Sequence, residues 1–145
     1  MTWKTIEKKI HEKLDSRIQS WYTHNPRRIY IDIAQEDIED VARFLFSDLK
    51  ARFIIASAVD TPRGGIEILY HFDFARLPQV ISVRIFVMKP ELKTKSIASI
   101  IKGAEWIERE IAELFGVTFE NHPNPVHLLL PEDWPEGKYP LRRDQ

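Results

Sequence analysis

Apolar residues recur along the first segment at three- and four-residue steps: Trp3, Ile6, Ile10, Leu14, Ile18 and Trp21. That spacing predicts one amphipathic helix, closed by Asn25-Pro26. The period then changes to two, with Ile29, Ile31 and Ile33 alternating with Tyr30 and Asp32 as in a half-buried strand. Glu36 and Asp37 put acid in the first turn of a second helix, and Ile38, Val41, Ala42, Leu45 and Leu49 form its stripe. Phe53 to Val59 is an almost unbroken apolar run and predicts a strand buried on both faces. Beyond the turn Thr61-Pro62-Arg63-Gly64-Gly65, Ile66, Ile68, Tyr70, Phe72 and Phe74 alternate with Glu67, Leu69, His71 and Asp73. Leu77-Pro78-Gln79 turns the chain again, and Val80 to Met88 supplies a further strand. Short connections between these strands predict an antiparallel meander. The class is therefore α+β: a mixed or antiparallel four-stranded sheet with helices packed on one face.

Ser96 to Phe115 reads as one helix, with Gly103 as a point of interruption. At 100° per residue, Ile97, Ile100, Ile101, Ala104, Ile107, Ile111, Leu114 and Phe115 share a side. Glu108 falls within that stripe, roughly 20° from Ile97 by the same period. A carboxylate there needs a partner, because an unpaired buried charge costs several kcal/mol. Arg109 cannot supply it by projection, since adjacent helical residues diverge. Trp106 and Glu110 lie on the opposite side with Ser99 and Gly103, where small residues allow another backbone to approach. Two readings stand for Trp106: cover by a loop or the N-terminal helix, or cover by a second protein.

Gly116 can close this helix in the left-handed conformation. The chain then changes character, for five of its nine prolines (Pro123, Pro125, Pro131, Pro135 and Pro140) fall after His122. Such a series blocks helices and central strands. Yet Leu128, Leu129, Leu130, Trp134, Tyr139 and Leu141 are too apolar for a solvated tail. Either the segment docks along a partner with these side chains as anchors, or it wraps back over its own domain. The division expected is a domain over residues 1–120 and an extended docking tail over 121–145.

Composition narrows the function classes. The chain has 145 residues, 43% of them hydrophobic, enough for one domain with a genuine core. A formal net charge of -1 argues against a nucleic-acid footprint. With no cysteine, thiolate zinc sites, iron–sulfur clusters and disulfides in this chain are excluded, which suits a cytosolic setting. No stretch approaches the ~20 apolar residues of a membrane span. Glu108, Glu110 and Glu113 point to different sides of one helix, so they do not converge as an acid/base pair. His122 and His127 are separated by prolines, and His71 lies on the polar face of a strand with no carboxylate at ligand spacing. No catalytic, cofactor-binding or metal-ligating residue is therefore assigned.

The segment Trp106-Ile107-Glu108-Arg109-Glu110-Ile111-Ala112-Glu113-Leu114-Phe115-Gly116-Val117-Thr118-Phe119 resembles the signature W-x-E-R-E-x-x-D/E-L-F-G-I/V-x-F. That signature marks the small hydrophilic subunit, the C subunit, of the respiratory complex I and energy-converting hydrogenase family. His122-Pro123-Asn124-Pro125 is similar to the histidine-proline step that follows it, and Tyr139-Pro140-Leu141-Arg142-Arg143-Asp144 to the family's proline-leucine-arginine-lysine-aspartate ending. Leu130-Pro131-Glu132-Asp133-Trp134-Pro135-Glu136-Gly137 looks more like the membrane-bound hydrogenase branch. One departure is Val126-His127, where the family usually carries an arginine.

The resemblance implies a subunit without chemistry of its own. It would pack against the large catalytic subunit and beside the small iron–sulfur subunit. Partner subunits would hold it peripherally at the cytoplasmic side of the membrane, with the membrane subunits reached indirectly. Iron–sulfur clusters, and a nickel–iron centre where present, would belong to those partners. The partner interface expected comprises Trp106, Glu108, Arg109, Glu110 and Phe115 on the helix and His122 and Pro123 at the start of the tail. Leu128, Leu130, Trp134 and Tyr139 are its anchors, and Arg142 and Arg143 would meet acidic groups on the large subunit. A free-standing binding module is the alternative, distinguished by whether the purified chain stands alone.

Overall fold

The computed structural model describes all 145 residues. Helix α1 spans Trp3–Leu14, with Thr2 as N-cap accepting a hydrogen bond from Thr5 N at 3.3 Å. Ile6, Ile10 and Leu14 form its buried stripe. The helix stops there, whereas the spacing predicted its continuation through Ile18 and Trp21. After a 3₁₀ turn, Ile18–Asn25 is strand β1, paired antiparallel with β2 (Arg28–Ile33). A three-residue step between apolar positions is also compatible with a strand carrying bulges, and β1 has two register shifts. Trp21 opposite Ile31 joins the core margin and lies 4.4 Å from the His11 ring, centroid to centroid.

Helix α2 (Ile38–Arg43) continues into a π-helical turn through Asp48. Strands β3 (Arg52–Asp60), β4 (Gly65–Asp73) and β5 (Val80–Met88) form the expected antiparallel meander. β5 also pairs in parallel with β2, so the sheet is mixed, in the order β1-β2-β5-β4-β3. The α+β class holds, and β1 raises the strand count from the expected four to five. Ile31, Val83, Tyr70 and Ala56 run across the inner face in register, and α1, α2 and the last helix cover that side.

β3 corrects a second expectation. It is an edge strand, not one buried on both faces, and Ile54, Ile55 and Val59 remain 46%, 48% and 51% exposed. An apolar run alone does not say whether another strand lies beyond it.

The final helix, α3, is shorter than its period suggested. Ser96–Ile101 turns without helix, a 3₁₀ turn follows at Lys102–Ala104, and α3 runs from Glu105 to Phe115. Ile97 and Ile101 are buried as expected but reach the core from this turn. Ser96 Oγ accepts a hydrogen bond from Ala98 N at 3.0 Å, a local bond that competes with helix formation. Gly116 closes α3 at φ 78°, and two short parallel strands, β6 (Lys93–Lys95) and β7 (Thr118–Glu120), tie the segments flanking α3 together. No helix or strand follows Glu120.

Candidate partner-docking site: helix α3 and the strapped tail

The signature helix divides its charged residues among three jobs. Glu108 is 0% exposed and points inward. Its carboxylate accepts hydrogen bonds from Ser96 Oγ at 2.5 Å and from Ile97 N at 2.9 Å, so α3 pins the turn that precedes it. Burial pushes the Glu108 carboxyl up to about 7, against the opposing pull of those donors. The Tyr70 phenol, fully buried and without a hydrogen-bond partner, is pushed well above its ordinary range by burial and then by Glu108. His122 Nε2 stands 3.8 Å from Glu108 and donates to Glu105 O at 3.0 Å, while Nδ1 accepts from Asn124 N. Those two bonds together select the neutral Nε2–H tautomer.

Arg109 and Glu113, four residues apart and hence on one face, grip successive stretches of the tail backbone. Arg109 donates to the carbonyls of Val126 and His127 at 2.9 and 2.7 Å. Glu113 is buried and accepts from the consecutive amides of Leu128, Leu129 and Leu130, the shortest bond being 2.6 Å. Three successive N–H groups aimed at one carboxylate form an anion nest.

A second strap holds the end of the tail. Leu141 N donates to Leu114 O at 2.9 Å and Arg142 Nη1 to Phe115 O at 3.1 Å, satisfying carbonyls left free at the helix C-terminus. The Tyr139 ring lies against Gly116, where an added Cβ would come within 2.6 Å of it. Buried Asp60, at the end of β3, accepts from Arg143 N at 2.7 Å and pairs with Lys89, which also reaches Asp144 at 3.4 Å.

Between the straps, Pro131–Lys138 forms an arch, braced within by Trp134 Nε1–H donating to Lys138 O at 2.8 Å and at its ends by His127 Nδ1 donating to Pro131 O and Gln145 Nε2 donating to Gly137 O. Beneath it lies a cleft of about 650 Å³ lined by Glu108, Val117, Phe119, His122 and Trp134 among others.

The structure thus separates the expected interface residues. Trp106 is 67% exposed and stands free; Pro123 and Arg143 are exposed, and Glu110, Leu128, Leu130, Trp134 and Tyr139 are half-buried. Glu108, Phe115 and the His122 side chain (2% exposed) lie inside the chain itself. Glu108 is interior because its partner is a turn of its own chain. Arg109 and Arg142 are engaged within the chain: Arg142 pairs with Asp144 at 2.8 Å. Sequence reasoning missed Glu113 and Asp60. The four-residue step from Arg109 to Glu113 was the available signal; nothing local announced Asp60.

No three His, Asp or Glu side chains converge to hold a metal ion, and no helix is long and apolar enough to cross a membrane. The fold and the strapped helix define a class: an α+β domain whose signature residues hold a C-terminal arm against its last helix. The chain belongs to the family of the respiratory-chain NADH dehydrogenase 30 Kd subunit, whose profile matches residues 31–145. It is 32% identical over 140 residues to the C subunit of NADH-quinone oxidoreductase from Chloroherpeton thalassium, covering 93% of this chain and 57% of that protein. It is 30% identical to the C subunit of F(420)H(2) dehydrogenase from Methanosarcina mazei, covering 99% of this chain and 92% of that one. In Buchnera aphidicola, a C/D subunit of NADH-quinone oxidoreductase is 34% identical over 83 residues, 57% of this chain and 14% of that protein. Among solved structures, a chain of the membrane-bound sulfane sulfur reductase, an archaeal respiratory membrane complex, superposes with a TM-score of 0.84 at 25% identity, covering 97% of this chain and 84% of that one. The relatives are subunits of oxidoreductase complexes.

Proposed function

We propose that this chain is a non-catalytic structural subunit that joins the large catalytic subunit of a complex I-like oxidoreductase to its neighbours. The observation that carries this is the division of labour on α3. Arg109 and Glu113 hold the tail in place, while Trp106 is left 67% exposed and Leu129 of the tail 64% exposed. Large bare aromatics beside an ordered arm are typical of anchors awaiting a partner. The Buchnera aphidicola relative, whose name joins C and D, supports a D-like large subunit as that partner. The absence of cysteine supports a chain that carries no redox centre, leaving the iron–sulfur clusters to a B-like small subunit. Attachment to the cytoplasmic side of the membrane then comes through partners. The hydrogenase branch rests on residues 130–137 alone, whereas the relatives carry quinone, F(420)H(2) and sulfane sulfur chemistry in their names.

The test is affinity purification of the tagged full chain from the membranes of cells that assemble the complex. Wild type should bring down a large catalytic and an iron–sulfur subunit. The Trp106→Ser, Leu129→Ser double variant should fold and lose both. A chain that purifies alone from intact membranes would overturn the proposal.

A further inference from the structure

The two edges of the sheet are built differently. β1 presents Gln19, Ser20, Tyr22, Thr23, His24 and Asn25, interrupted by two register shifts. Polar side chains and bulges are how natural sheets discourage additional strands. β3 lacks most of that protection. From Phe53 to Val59 it has no charge and no proline, and its single irregularity lies between Phe53 and Ile55. No backbone group of residues 52–60 bonds to anything but β4, so the outer row of amides and carbonyls is unpaired. Ile55 and Val59, about half exposed, stand on the sheet face opposite the helices, since they oppose His71 and Glu67.

Between them the edge is stiffened. Ser57 Oγ lies 3.0 Å from His71 Nε2, whose Nδ1 is 2.7 Å from Ser82 Oγ, a hydrogen-bonded row across β3, β4 and β5. The charges at the strand's two ends are already neutralised within the chain: Arg52 pairs with Asp73, and Asp60 with Lys89.

We infer that the free edge of β3 receives an extended, uncharged β-strand from another polypeptide of the complex, continuing the sheet. Unpaired backbone specifies a strand, and the uncharged row from Phe53 to Val59, whose flanking charges are already paired, offers a charged side chain no partner. A second copy of this chain fits less well. Symmetric antiparallel pairing centred on Ser57 would set the bulge of each copy against the Asp60–Arg143 contact of the other. The inference rests on the subunit reading given above.

The experiment compares amide exchange in the free full chain and in the purified complex, with a benzophenone amino acid placed at Ile55 or Val59. In the complex, outward-facing β3 amides should exchange at least about tenfold more slowly than in the free chain. The cross-links should fall on alternate residues of one segment in another subunit. Ile55→Lys, at an exposed position, should leave the melting temperature of the free chain unchanged and abolish the added protection. Cross-linking to β3 of a second copy would overturn the inference. So would unchanged exchange in a complex that still contains the chain, which leaves the subunit reading standing. If the chain purifies with no other polypeptide, both fall.

Discussion

The sheet and the tail of this protein are ordered by opposite means. β2, β5 and β4 are held by continuous backbone ladders over a core in which Ile31, Val83 and Phe72 are almost fully buried. The tail has no ladder, and prolines forbid one over much of its length. Its order comes from isolated contacts with the domain: Arg109 and Glu113 grip its backbone at one end, and at the other Asp60 accepts from Arg143 N, Leu114 O from Leu141 N and Phe115 O from Arg142. A ladder fails cooperatively, whereas each strap can fail alone. On that difference the arm should open separately from the body although it lies against it.

The largest effect should come from the body. Phe72→Ala, at a fully buried site, should lower stability by about 3–5 kcal/mol by emptying the core. Chemical denaturation should show it, and sheet and tail amides should lose protection together.

Next in size is the pH dependence tied to Glu108. Its carboxyl rises from 4.5 to about 7 in the folded protein, so the folded state binds the proton more tightly. The stability it confers is fully present below about 4.5 and lost as pH climbs to about 7, a change of about 3 kcal/mol. Glu108→Gln should therefore gain on wild type between those values and level off above them. Parallel stability–pH curves for the two proteins would contradict this burial.

A smaller, local effect is expected from Glu113→Ala, which strands the amides of Leu128, Leu129 and Leu130. Exchange at those amides should accelerate by an amount equivalent to about 1–3 kcal/mol, with β4 and β5 unaffected. Simultaneous loosening of the sheet would dissolve the distinction between arm and body. Trp106→Ser should be the mildest for the free chain, within about 0.5 kcal/mol by thermal melting, because the side chain is mostly exposed.

The inner strands were legible because alternation over Ile66–Phe72 and Ile81–Val87 has only one simple geometric solution. β1 was not, since Ile18 and Trp21 continue the spacing of α1, and only pairing with β2 reveals the change. At the site, the inward position of Glu108 followed from its angle on the helix, and so did the outward position of Trp106. The partners of Glu108 did not, for Ser96 and Ile97 lie in a turn that periodicity had absorbed into the helix. The grip on the tail was hidden for a related reason. Its acceptors and donors are backbone groups, and backbone is the same at every residue.

Gly116 concentrates that dependence in one atom. Its left-handed backbone ends α3, and the Tyr139 ring occupies the space a side chain would need. Gly116→Ala should therefore behave genetically like a defect in the arm rather than in the domain. Shortening Tyr139 in the same chain should act as a second-site suppressor, clearing the worst collision and leaving a tight approach to Arg142 Nη1 and a backbone strain of about 1 kcal/mol. A screen for revertants of Gly116→Ala would then recover changes at position 139, twenty-three residues away in sequence.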